Sequence, residues 1–139
     1  MDVKFSPVAN VLAFSQITGD VRVYVYNEKQ TKEMLHFNYH KDSVRQVVFS
    51  PDGNILYTSS SDGSIGVISM GKLEGRLTGA HPVPINSLMH IENNAILASG
   101  DDDGLLKIWD LRLSANGKQG CVMQFNEHEG TIMDMKMND

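Results

Sequence analysis

The chain has 139 residues, a formal net charge of −5, 41% hydrophobic residues and one cysteine, Cys121. That balance argues against a general nucleic-acid-binding surface, since Lys41 and Arg45 stand isolated among acids, and a single cysteine excludes an internal disulfide framework and fits a reducing compartment. The sequence shows neither an apolar run of membrane-spanning length nor a signal-peptide pattern.

Short alternating segments separated by turn residues predict strands throughout. The first unit reads as strands over Val3 to Phe5, Val11 to Ser15, Val21 to Tyr26 and Lys32 to Tyr39. The second repeats the scheme over Val44 to Phe49, Ile55 to Ser60, Ser64 to Ser69 and Gly75 to Thr78. In the third the strands fall near Ile85 to His90, Ala95 to Ser99, Leu105 to Asp110 and Cys121 to Asn126. A fourth unit begins at His128 with a strand over Thr131 to Met137. No sustained helical period competes. Ser50-Pro51-Asp52-Gly53 puts proline where its ring-locked φ suits a turn and glycine where a positive φ is needed, so the breaks between strands follow backbone physics.

The units recur. Phe5-Ser6-Pro7 returns as Phe49-Ser50-Pro51 after 44 positions, Asp62-Gly63 returns as Asp103-Gly104 after 41, and His40 returns as His81 after 41. His128 follows at 47, the extra length falling in the polar stretch Leu113 to Gly120. The turn Asp103-Gly104 feeds a strand that ends in Trp109-Asp110, around the only tryptophan. A period of 40–45 residues with that ending resembles the WD repeat, the unit of a β-propeller. The resemblance implies an all-β fold, a partial WD-repeat propeller of three four-stranded blades plus the first strand of a fourth. Residues 1–139 form one such unit, with repeats at about 1–39, 40–80 and 81–127 and the start of a fourth at 128–139. Propellers close with four to eight blades, so the chain is expected to be a fragment, a truncated product or part of a larger assembly. Missing blades or self-association would then complete a ring, and the piece alone would be marginal or prone to aggregation.

A serine, a histidine and an aspartate invite comparison with a catalytic triad, but the WD resemblance implies a different use. There Trp109 donates to Ser99, Ser99 to His81, and His81 to the turn aspartate, Asp103, in a buried chain. The second unit offers His40, Thr58 and Asp62, with Ile68 in place of tryptophan; the first carries Phe14, Thr18 and Tyr24 at the matching positions. No Gly-x-Ser-x-Gly elbow supports a nucleophile, so no catalytic residue is expected. A glycoside-hydrolase propeller would need paired carboxylates, and none lie outside turns.

His36 and His40 share a strand face but lack a third ligand. Asp101-Asp102-Asp103-Gly104 lacks the alternating ligands and distal glutamate of a calcium loop. The glycines around Gly71 and Gly75 have no Gly-Lys-Ser/Thr, and Met133, Met135 and Met137 alternate as one packed strand face. Neither metal nor cofactor is expected.

Particular segments resemble one family within the WD proteins, that of WD repeat-containing protein 55. Ala80-His81-Pro82-Val83-Pro84-Ile85-Asn86-Ser87-Leu88 is similar to its Ala-His-x-x-Pro-Ile/Val-Asn-Ser/Thr-Leu segment, and Ala98 to Asp102 with Leu105 to Arg112 resembles its Gly-Asp-Asp block and Trp-Asp-x-Arg ending. Phe125 to Glu129 and the following Met133 fit its next blade boundary, and Val3 to Pro7 and Gly19 to Val21 resemble its opening blade. The resemblance covers nearly the whole chain, corresponding to about the first half of the family's length. It implies a non-enzymatic protein-interaction scaffold in ribosomal RNA processing and ribosome biogenesis, nuclear or nucleolar, with the cytoplasm left open. Its partners would be ribosome-assembly factors, with no direct nucleic-acid or membrane binding. The alternative is a substrate receptor of a cullin-4 ubiquitin ligase, docking on the ligase adaptor through Trp109-Asp110-Leu111-Arg112. Asp110, Arg112, Asp102 and Ser61 are the candidate partner contacts, Arg112 as a bidentate carboxylate binder.

Overall fold

Turn residues set the strand lengths, and the strands pair locally. The structure is a computed structural model and describes residues 2–38, 40–69, 72–77, 80–92, 96–110 and 121–125. Among them are twelve strands: β1 Val3–Phe5, β2 Val11–Ser15, β3 Val21–Tyr26, β4 Thr31–Phe37, β5 Val44–Phe49, β6 Ile55–Ser60, β7 Ile65–Ser69, β8 Lys72–Leu77, β9 Ile85–Glu92, β10 Ile96–Asp101, β11 Leu106–Asp110 and β12 Cys121–Phe125. They form three four-stranded antiparallel sheets, β1 to β4, β5 to β8 and β9 to β12, each in sequence order. We call these blades 1, 2 and 3. The expected opening strand of a fourth, at Thr131 to Met137, lies outside the described residues.

The turns joining the second and third strands of the blades share one geometry. Gly19, Gly63 and Gly104 each donate a backbone hydrogen bond three residues back, to Gln16, Ser60 and Asp101, at 3.2 Å. Each has a positive φ, 95°, 82° and 86°, which only glycine adopts cheaply. Gly63 is also a close approach, because a Cβ there would run into the carbonyl oxygen of His81. The turn of blade 2 thus tucks under the loop that opens blade 3, and His81 N–H donates to Gly63 O at 3.1 Å.

Alternation gives every blade two apolar faces. The face of blade 1 that carries Ala13, Val21, Val23 and Phe37 packs on Val44, Val47, Phe49, Leu56 and Ile68 of blade 2. The other face of blade 2, with Tyr57 and Ile65, packs on Ile85, Leu88, Leu97 and Trp109 of blade 3. We call these the trailing and leading faces of a blade. Inner strands also clasp one another: Asp2 accepts from Val47 N–H at 3.3 Å, and Gln46, at the equivalent place one repeat later, accepts from Leu88 N–H.

Several strand limits differ from those the sequence predicts, β4 spanning Thr31–Phe37 and β9 running on to Glu92 among them. β8 starts at Lys72, ahead of Gly75, with an irregularity in its pairing to β7 between Val67 and Ile68. β10 runs on through Asp101, past Ser99, and that extension decides which aspartate reaches the core.

Candidate functional site

Along β10 the side chains of Leu97, Ser99 and Asp101 share one face, because strand side chains alternate with a period of two. That face meets His81, which the loop before β9 delivers between blades 2 and 3. His81 Nδ1 lies 2.8 Å from Asp101 Oδ2 and Nε2 lies 2.6 Å from Ser99 Oγ. Trp109 Nε1–H donates to the same Ser99 oxygen at 2.8 Å. A carboxylate beside Nδ1 requires the proton on that nitrogen, leaving Nε2 to accept from Ser99. The chain therefore runs tryptophan to serine to histidine to aspartate.

The aspartate is Asp101, not Asp103 as the repeat spacing predicts. Asp103 sits exposed at the tip of the turn, and only its backbone joins in, donating to Asp101 Oδ1 at 2.9 Å. Leu105 N–H donates to the same oxygen at 3.0 Å. One carboxylate oxygen thus holds the histidine while the other holds the turn. Trp109, Ser99 and Asp101 are 0% exposed and His81 is 2%, so no substrate reaches Ser99. Burial pushes the His81 pKa down, opposed by the hydrogen bond and charge of Asp101.

Blade 2 builds the network differently. His40 Nε2 lies 2.6 Å from Thr58 Oγ1, as its Nδ1 does at 2.9 Å from Ser64 Oγ. Ser64 passes the contact to Asp62, whose carboxylate remains 3.6 Å from His40. Burial raises the Asp62 pKa, but hydrogen bonds from Ser64 and from the backbone of Lys41 and Ser64, with His40 nearby, outweigh it and leave a net lowering. Ile68 fills the tryptophan position and donates nothing. Gly66, its neighbour but one, is required here, since a Cβ would overlap Thr58 Oγ1 and crowd His40. In blade 1 an offset stack of Phe14 on Tyr24, 5.4 Å between centroids, takes the place of the polar chain. Thr18 is exposed, and its hydroxyl contacts Asp20 within the turn.

At the loop end of the blades a second polar group gathers around Arg45 on β5. Its Nε donates to Ser61 at 2.8 Å, one terminal nitrogen donates to Asn86 Oδ1, and the same nitrogen stands 3.7 Å from Asp102. Ser43 Oγ meets Ser61 Oγ at 2.8 Å. Asn86 follows Arg45, and Asp102 follows Ser61, by one repeat of 41 residues. The cluster therefore bridges blades 2 and 3, with Arg45 and Asp102 both partly open to solvent. Sequence reasoning singled out Ser61 and Asp102 but missed Arg45, Asn86 and Ser64. The 41-residue offset was the signal that pairs Arg45 with Asn86.

The structure does not bring all candidate contacts together. Asp110 pairs with Ile96 at the end of the blade opposite Asp102, and Arg112 lies outside the described residues. His36 and His40 also part company: His36 Nε2 pairs with Asp20 at 2.8 Å on the surface while His40 is buried.

Residues 31–69 and 71–110 match the sequence model of the WD domain, G-beta repeat. WD repeat-containing protein 55 of Rattus norvegicus is 41% identical over 138 residues, 96% of this chain and 34% of the relative. The protein of that name from Danio rerio is 38% identical over 98% of this chain and 35% of its own length. The chain thus spans about a third of the curated relatives it matches. Among solved structures, Chaetomium thermophilum Sqt1 shares the fold with a TM-score of 0.81 at 18% identity, over 94% of this chain and 37% of that one. The paired blades, their glycine turns and the tryptophan-anchored network agree with these matches: the chain belongs to the WD-repeat family.

Proposed function

We propose that this chain is a non-enzymatic scaffold that binds a basic protein segment on its loop face, in ribosomal RNA processing and ribosome biogenesis in the nucleus or nucleolus. The observation that carries the binding surface is the Arg45 cluster, which locks the loops of blades 2 and 3 into one rigid platform. Asp42 and Asp103 stand exposed on the same face, with Asp62 and Asp102 partly so. Together they outnumber Lys41 and Arg45, which favours a cationic partner. Rigid sheets presenting loops are a common binding design. The assignment to ribosome assembly is supported by similarity to WD repeat-containing protein 55.

The test has two arms. Charge reversal by Asp102→Lys with Asp103→Lys is expected to weaken capture of basic assembly factors from nucleolar extract at least tenfold and to flatten its salt dependence. Depletion of the protein is expected to make precursor ribosomal RNA accumulate. Unchanged capture sinks the binding surface; normal precursor levels sink the pathway. The ligase-receptor alternative has its own test, loss of adaptor capture with Arg112→Ala. Trp109 is fully buried, so it supports that strand end rather than touching an adaptor.

A further inference from the structure

The loop that opens blade 3 carries three consecutive apolar residues, Pro82-Val83-Pro84, where the loop that opens blade 2 carries Lys41-Asp42-Ser43, 41 residues earlier. Pro82 is exposed and Val83 and Pro84 are half-buried, although Ala80 and His81 before them and Ile85 after them are buried. Such a run open to water is unfavourable in a loop unless something covers it. The ridge lies between two turns of this same chain, Ser61 to Gly63 of blade 2 and Asp102 to Gly104 of blade 3. Its exposure is therefore set within the joint of blades 2 and 3.

The ridge is rigid. His81 N–H donates to Gly63 O and Asp102 N–H donates to Pro84 O, both at 3.1 Å. The His81 side chain is held inside the joint by Ser99 and Asp101, and the Val83 carbonyl oxygen lies over Gly63, where a Cβ would touch it. Two ring-locked φ angles stiffen the rest, so little conformational entropy remains to be lost on binding. Desolvation is mild as well. Pro82 and Pro84 have no N–H to strip of water and the Pro84 carbonyl is already paired, so an apolar group laid across them strands few polar atoms. Carboxylates border the ridge on both sides, Asp62 on the blade 2 turn and Asp102 on the blade 3 turn, with side chains 13% and 32% exposed. Arg45 stands 3.7 Å from Asp102, but its hydrogen-bond partners, Ser61 and Asn86, are neutral.

We propose, given that the loop face takes a basic segment, that this segment seats an apolar side chain on the Pro82-Val83-Pro84 ridge between two cations, one on the Asp62 side and one on the Asp102 side. The partner is then recognised by a cation-apolar-cation motif and not by net charge alone. Charge draws the segment in, and the ridge discriminates among basic segments.

Fluorescence anisotropy of the full chain with two labelled peptides of equal charge tests this: Gly-Arg-Arg-Leu-Arg-Arg-Gly, and the same peptide with serine for leucine. The leucine peptide is expected to bind about tenfold more tightly, a preference that burial of about 55 Å² of apolar surface supplies. Val83→Ser is expected to remove the preference and leave the salt dependence of both peptides unchanged. Pro82→Ser, at an exposed position, is expected to do the same and covers the case in which Val83→Ser fails to fold. Asp102→Lys with Asp103→Lys is expected to weaken both peptides alike. A wild-type chain that binds the two peptides equally overturns the ridge and leaves the acidic face standing, whereas one that binds neither removes both. A leucine preference that survives in the folded ridge variants puts the apolar contact elsewhere and overturns the proposal.

Discussion

Asp101→Ala removes the acceptor for His81 Nδ1 and for the turn amides of Asp103 and Leu105. Leaving the buried His81 Nδ1–H without its acceptor costs about 1–3 kcal/mol, to which the lost turn bonds add. Asp103→Ala, at an exposed turn tip, is expected to change stability by no more than about 0.5 kcal/mol. Urea denaturation of the two variants separates them, and the reverse order of effects would return the network to Asp103. Protonation acts on the same joint. Burial holds the pKa of His81 and of His90 below the ordinary 6.5. The unfolded chain then binds protons that the folded chain refuses as pH falls below about 6.5. Stability is therefore full above that value and declines as pH falls toward the depressed folded pKa values. A second decline follows below about 3.8, where Asp20, Asp52 and Asp62, each held low by hydrogen bonds, take up protons. Denaturation midpoints measured from pH 8 to pH 3 should show both steps, and a midpoint constant between pH 8 and pH 5 contradicts the first.

Strands and their joints carry the next set of consequences. His90 stands on β9 where Phe5 and Phe49 stand in the earlier repeats. It packs on Tyr57 at 6.0 Å between ring centroids, and its buried Nε2 has no partner among the described residues. Burial also drives the Tyr57 pKa up to about 12. His90→Phe should therefore stabilise the joint by about 1 kcal/mol and shrink the decline between pH 7 and pH 5; thermal melts at both values check this. Gly66→Ala acts the other way, forcing a Cβ into Thr58 and costing about 1–3 kcal/mol in the same melts. These elements also show what a sequence conveys. Period-two alternation and glycine turns are local, so the strands and the 41-residue repeat were legible from residues alone. Asp101 was not, because counting from the turn gives a spacing but not a face, and β10 had to continue past Ser99 to aim it inward. Arg45 was missed for a different reason: its partners Asn86 and Asp102 belong to the next blade, and only packing brings them near. Ser64 was missed because it intervenes between two residues that looked like direct partners.

At the scale of the molecule, protection is uneven. Blade 2 is covered on both faces and β6 is buried along nearly its whole length, whereas β1 is exposed throughout and β4 is exposed over most of its length. Local opening free energy follows buried apolar contact. Amide exchange is expected to be slowest in β6 and β7 and fastest in β1 and β4, and equal rates across the blades would show that the sheets open as one unit.

The divided duty of Asp101 sets a rule for altering this protein. A strand admits no half-steps: one residue added between Ser99 and Asp101 would turn the carboxylate to the opposite side and strand His81 without its acceptor. Residues 102 and 103 lie beyond that constraint, as the tip they form is held from below by Asp101 Oδ1, which accepts from the amides of Asp103 and Leu105. New recognition sequences grafted at that tip should leave the core undisturbed, while the two residues just before it tolerate no change in number.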